Sequence, residues 1–239
     1  MNELVSERSG TTLTLTLNRP AKMNALSASL VDALIVALWQ ARADGTRLIV
    51  LRGNGRNFSA GFDFSGHETQ SEGDLLLRFV RIEQLLQAVH HAPFDTLALA
   101  HGRNFGAGVD LVGACARRIA DAGSTFCMPG LRFGLVLGTR RFAQQVGTES
   151  ARKILQAGET FDAETACDLN FVHAVAGQDQ WPNIIAQASE AAAALPSETA
   201  ARLFEVIGPD TRDADLAELV RSAAVPGLKD RIATYLGNR

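Results

Sequence analysis

The chain is poor in cysteine and tyrosine and has no long apolar run, and each shortage closes off a class of protein. Its three cysteines, Cys115, Cys127 and Cys167, are odd in number and widely spaced along 239 residues. That argues against a disulfide framework and leads us to expect a reduced, cytoplasmic setting. No run of about 18 apolar residues is present to span a membrane. The opening MNELVSERSGTT lacks the apolar core of a signal peptide, so no secretory leader is expected. Lys plus Arg number 23 against 26 Asp plus Glu, a net charge of −3, and no basic run stands out. A nucleic-acid footprint is therefore not expected.

Chemical signatures are missing too. The five histidines, His67, His90, His91, His101 and His173, form no i, i+4 pair and join no cysteine cluster, so no metal site is expected. There is no G-x-S-x-G nucleophile elbow, and no cysteine carries a local catalytic signature. No fixed-period repeat or low-complexity tract occurs.

What is present is an ordinary globular composition, 46% hydrophobic and 21% charged, long enough to bury a large core. Thr11 to Leu17 alternates Thr and Leu, the period of a half-exposed strand. Leu26, Leu30, Leu34 and Leu38 recur at helical spacing, with Ser27 as N-cap and Asp44-Gly45 as terminator. Arg47 to Arg52, RLIVLR, reads as a buried strand. Leu75, Phe79, Ile82, Leu86 and Val89 mark a second helix, ended by Pro93. Strands follow at Thr96–Ala100 and Arg118–Ala122, and Phe126–Gly138 reads as irregular and glycine-rich. Helical segments near 139–146, 149–156 and 163–169 precede a strand-like FVHAV, and from Pro182 onward the pattern is helical. The pattern predicts an α/β core with a helical C-terminal extension.

Thr96 to Asp110, TLALAHGRNFGAGVD, runs from a strand through a glycine-bearing turn into a helix start. Unpaired N–H groups and the positive end of the helix dipole suit such a turn to an oxyanion. Gly102, Gly106 and Gly108 also fit the nucleotide turn of short-chain dehydrogenases. That family, however, places the turn near the N-terminus and works with Tyr-x-x-x-Lys, whereas the only tyrosine here, Tyr235, is followed four residues on by Arg239. A second stretch, Arg47 to Asp63, RLIVLRGNGRNFSAGFD, has the same strand-to-small-residue form. Two such loops at neighbouring strand ends can each supply one N–H to a shared oxygen, although small residues also serve tight packing alone.

The motifs LTLNRPAKMNAL, LIVLRGNGRNFSAGFDF, ALAHGRNFGAGVDL and RRIADAGSTFCMPGLRFGLVLG, in one colinear order over roughly 11–175, resemble the enoyl-CoA hydratase/isomerase (crotonase) superfamily. The resemblance implies an α/β fold, a crotonase-like spiral of ββα units over 1–180, with a helical C-terminal trimerisation region over 181–239. It implies an acyl-CoA thioester as partner, with coenzyme A as part of the substrate rather than a separate cofactor, and a homotrimer or dimer of trimers. It assigns the oxyanion-hole amides to Ala60 and Ala107 and the proton-transfer group to Asp110. It places Lys22 and the segment Ala60, Gly61, Phe62, Asp63 and Phe64 along the coenzyme A path, with Lys22 as a phosphate partner.

The departures bear on the reaction. Hydratases of the superfamily use two glutamates. Here the first position is Asp110, about 1.5 Å shorter in reach, and the second falls on Gly130, so a two-carboxylate hydration is not expected. Either Asp110 works alone on a Cα or Cγ proton or in another enolate reaction, or His67, Glu68, Arg132 or Arg140 replaces the missing glutamate, or the fold binds acyl-CoA without efficient catalysis.

Overall fold

A computed structural model describes residues 2–238. Two strands open the chain, β1 (Leu4–Ser9) and β2 (Thr12–Leu17), paired antiparallel. Helix α1 (Ala28–Ala41) follows, with the Ser27 hydroxyl accepting the Leu30 N–H at its start. Then come β3 (Leu48–Gly53), α2 (Glu72–His90), β4 (Asp95–Ala100), β5 (Arg103–Phe105), α3 (Ala107–Ala114), β6 (Arg117–Ala120) and β7 (Thr125–Cys127). Helices α4 (Thr139–Val146) and α5 (Thr148–Ala157), strand β8 (Thr160–Asp162), α6 (Ala163–Asp168) and the short β9 (Ala174–Val175) complete this part. Four helices follow: α7 (Trp181–Ala193), α8 (Ser197–Val206), α9 (Arg212–Ala223) and α10 (Leu228–Gly237).

The main sheet has the order β1-β2-β3-β4-β6-β9, parallel from β2 onward. A parallel sheet needs cover on both faces, which explains why RLIVLR is apolar without alternation. Ile49 and Leu51 of β3 pack with α1, α2 and α3, while Leu48 and Val50 pack on the other face against Trp181, Ala188 and Ala192 of α7. Each buried Leu or Phe here contributes about 1.5–3 kcal/mol.

A second, three-stranded sheet, β5-β7-β8, departs from the sequence expectations. β5 lies inside the stretch expected to be only a turn, and β7 begins just before the segment expected to be irregular. Each has three residues, too few to show a period, and they exist because they pair with one another across more than 20 residues of chain. β1 also carries little sequence signal, since five of its six residues are exposed on an edge. Its position matters less for the site than the parallel ends of β3 and β4, where the chain leaves the sheet on the same side and enters the two loops of interest.

Candidate active site

The segment Phe58–Asp63 is tied down on both sides. Phe58 N–H donates to the His101 carbonyl at 2.9 Å, Phe105 N–H to the Ser59 carbonyl at 3.0 Å, and Leu26 N–H to the Gly61 carbonyl at 2.7 Å. The Ser59 hydroxyl donates to the Asn24 carbonyl at 2.9 Å and accepts the Gly61 N–H at 3.1 Å. The NRPAKMNAL motif is the other half of this lock. Asn24 is buried in a left-handed conformation (φ 52°), accepts the Arg19 N–H at 2.8 Å, and donates to the Asn54 and Asn57 carbonyls. Gly61 has φ 76°, and a methyl group on it would lie 2.2 Å from the Phe105 carbonyl oxygen and 3.0 Å from the Ala107 nitrogen. The two loops therefore touch through a bare glycine, which only that residue allows.

This lock corrects one expectation. The Ala60 N–H is consumed by the fold, donating to the Met23 carbonyl at 2.8 Å, so it is not available to a ligand. Two residues on, the Phe62 N–H has no acceptor among the described residues, because the Leu26 bridge uses only the Gly61 carbonyl and the Asp63 N–H, the latter at 3.4 Å. The Phe62 ring is held by the Arg78 guanidinium at 4.2 Å from its centroid and by Phe79, stacked at 4.2 Å. Facing it, α3 begins at Ala107, whose N–H also has no acceptor among the described residues, while Val109 and Asp110 both donate to the Gly106 carbonyl. Register is what the sequence hid: which amide the fold uses depends on the long-range pairing with Met23 and Leu26.

Asp110 stands on the first turn of α3 and lines a cavity of about 50 Å³ together with Phe62, Ala107 and Gly130. Its side chain is buried, and Oδ1 has no hydrogen-bond partner among the described residues. Burial drives its carboxyl well above the usual carboxylate range; Arg141 pulls the other way, and Glu83 adds to the rise. The walls are aromatic and aliphatic, with Phe64, Phe79, Phe105, Phe133 and Tyr235 prominent. Asp110 is the only carboxyl among the described lining residues, and Gly130 brings no side chain.

The other expected residues fall as follows. Lys22 is exposed on the turn whose Met23 carbonyl receives Ala60. Asp63 is committed to structure: burial raises its carboxyl, but the Ser65 N–H and Arg19, 2.7 Å away, outweigh this and hold it below the ordinary value. None of the four substitutes for the missing glutamate lines the Asp110 cavity. His67 bonds the Phe64 carbonyl at 2.9 Å, Glu68 is exposed, Arg132 donates to the Ala157 carbonyl at 2.7 Å, and Arg140 donates to Asp215 at 2.8 Å. Among the described residues no cluster of His, Cys, Asp or Glu could hold a metal ion, and no helix is long and apolar enough to cross a membrane. No sequence signal marks Glu83 and Arg141, two charged residues that the fold buries against each other. The aromatic wall carries no sequence signal either, its members being scattered from Phe62 to Tyr235.

Two loops that touch at the strand ends of a parallel sheet, with one buried carboxyl beside them, thus form the candidate site. The chain belongs to the family described as Enoyl-CoA hydratase/isomerase, whose profile matches residues 7–220. Among solved structures, a Bordetella parapertussis protein provisionally named enoyl-CoA hydratase/isomerase is 56% identical, with TM-score 0.98 over 99% of both chains. A provisionally named enoyl-CoA hydratase of Bacillus subtilis (strain 168) is 32% identical over 203 residues, covering 81% of this chain and 77% of the relative. The enoyl-CoA isomerase/hydratase fer4 of Mycosarcoma maydis is 30% identical over 175 residues, covering 68% of this chain and 64% of that one.

Proposed function

We propose that the protein acts on acyl-CoA thioesters, holding the thioester oxygen between the Phe62 and Ala107 N–H groups and using Asp110 as its one proton carrier. The observation that carries this reading is the pair of acceptor-free amides on loops brought together at Gly61, beside a buried carboxyl whose Oδ1 has no partner among the described residues. Two donors aimed at one oxygen stabilise an enolate, each typically contributing about 3–4 kcal/mol in the transition state. A single carboxyl suits a double-bond shift. Ionised Asp110 takes a proton from Cα, the C–H electrons pass into the thioester to form the enolate, and the same carboxyl returns the proton at Cγ. Two-carboxylate hydration lacks its second group at Gly130.

A second reading is favoured by the burial of Asp110, which stabilises its neutral acid. In that form it protonates the Cα of an enolate made by loss of carbon dioxide from the acyl group. In both readings Lys22 and the segment 60–64 line the coenzyme A path. Exposed apolar residues on and just after α8, Val206 and Ile207, support assembly into homotrimers.

The test is turnover of 3-enoyl-, 2-enoyl-, 3-hydroxyacyl- and malonyl-type CoA thioesters by wild type and Asp110→Asn. A double-bond shift that rises with pH supports the first reading, and decarboxylation that falls with pH supports the second. In either case the variant is slower by about 10²–10⁴-fold. Binding without turnover, or wild-type rates in the variant, removes Asp110 from the mechanism, and failure to bind any CoA thioester removes the whole assignment.

A further inference from the structure

Helix α3, which carries Asp110, packs against α2 and α4, and Gly138 at the N-cap of α4 touches the Asp110 carboxyl; one turn further on, α4 enters a buried charge cluster shared with α2 and α9. Arg141 of α4 donates to Glu83 of α2 through two bonds, at 3.0 and 2.5 Å, and to Asp215 of α9 at 3.1 Å. Glu83 and Arg141 are almost fully buried, with side chains 1% and 3% exposed, and Asp215 is 10% exposed. Asp215 also accepts from Arg140 at 2.8 Å. Two arginines thus face two carboxylates, and the cluster is neutral without Asp110. An ionised Asp110 would add an uncompensated charge in a buried place, where charge interactions are strong.

We infer that Glu83 is a positioning residue for the proton on Asp110: by claiming the charge of Arg141, it keeps that cation from drawing the Asp110 carboxyl into its ionised form. Arg141 stands three residues after Gly138, the residue that touches the Asp110 carboxyl, and is the cation that pulls that carboxyl down; its guanidinium makes three hydrogen bonds to Glu83 and Asp215. The other titratable groups around Asp110 do not replace it. His90, further along α2, is held down to about 4 by burial, His91 and Arg141, and so stays neutral. Arg140 on α4 is paired with Asp215, and Tyr235 of α10 lines the far wall. The geometry makes the effects of charge removal opposite in sign. Losing a carboxylate frees Arg141 to stabilise ionised Asp110, and losing Arg141 leaves Glu83 to oppose it.

This inference rests on Asp110 being the proton carrier for its use in catalysis, but its test does not depend on turnover. The Asp110 carboxyl is titrated directly by NMR of protein carrying 13C-carboxyl aspartate, the signal being assigned by its loss in Asp110→Asn. Glu83→Gln lowers the midpoint by about one pH unit or more, and Arg141→Gln raises it. Asp215→Asn, at the less buried end of the cluster, lowers it as well and serves if the first variants fold poorly. The pH profile of kcat moves in step with each midpoint. A midpoint unmoved in folded Glu83→Gln or Asp215→Asn, or moved the same way by loss of Arg141, overturns the inference. Midpoints that move as expected while the kcat profile stays put uphold the inference and remove Asp110 from the proposed reaction.

Discussion

Gly138 presses its bare Cα against the carboxyl of Asp110: a methyl group there would lie 1.9 Å from Oδ1 and 2.6 Å from Cγ. Gly138 has φ 64° and stands at the N-cap of α4, the helix that carries Arg141. The same backbone turn thus walls in the carboxyl and begins the helix that carries Arg141.

Gly138→Ala is accordingly expected to displace Asp110. The left-handed backbone costs about 1–2 kcal/mol for an alanine, and overpacking adds about 1–3 kcal/mol. Thermal unfolding should show the loss of stability, and steady-state kinetics should show a fall in kcat larger than any change in KM.

Gly61→Ala acts on the other loop. The added methyl meets the Phe105 carbonyl and the Ala107 nitrogen and pushes apart the two loops that meet there. Loss of one donor's geometry is expected to lower kcat by about 10²–10³-fold. Far-ultraviolet circular dichroism close to wild type would show that the effect is local.

Arg78→Ala tests the clamp on Phe62. Arg78 lies over the Phe62 ring and donates to the Asp63 carbonyl at 2.6 Å. The cation–π contact is worth about 0.5–2 kcal/mol, enough to let the Phe62 amide drift. A fall in kcat/KM of about tenfold is expected, one factor of ten per 1.4 kcal/mol, read from substrate titrations on the folded variant.

The buried carboxyl also sets a pH dependence of stability. The folded protein holds the Asp110 proton more tightly than the unfolded chain does, because its carboxyl is raised by burial. Between the unfolded value, about 3.9, and the higher folded value, the folded state binds more protons, so this contribution falls as pH rises. Asp110→Asn removes that slope. Denaturant titrations across pH should show the wild type losing stability relative to the variant through this window, by up to about 1.4 kcal/mol per pH unit. Parallel curves for the two proteins would show that Asp110 is not held neutral.

The main elements were legible because their signals are local. Leucines at helical spacing with Ser27 before them predict α1, and RLIVLR predicts β3, because period and cap are properties of neighbouring residues. The start of α3 at Ala107, with Asp110 on its first turn, was legible for the same reason, since a helix start and a three-residue offset are local. The Ala60 assignment failed because the choice between Ala60 and Phe62 is made by Met23 and Leu26, more than 30 residues earlier in the chain. The small sheet of β5, β7 and β8 escaped likewise, each strand being three residues long and defined by partners rather than by pattern. Glu83 and Arg141 lie on opposite helices and look like stray charges until the fold sets them 2.5 Å apart.

The central claim is the identity of the two donors, and a crystal structure with a bound acyl-CoA thioester tests it most directly. The thioester oxygen is expected about 2.7–3.1 Å from both the Phe62 and the Ala107 nitrogens, with the Asp110 carboxyl beside Cα. A thioester oxygen bonded to the Ala60 N–H, or lying away from these loops, would contradict it.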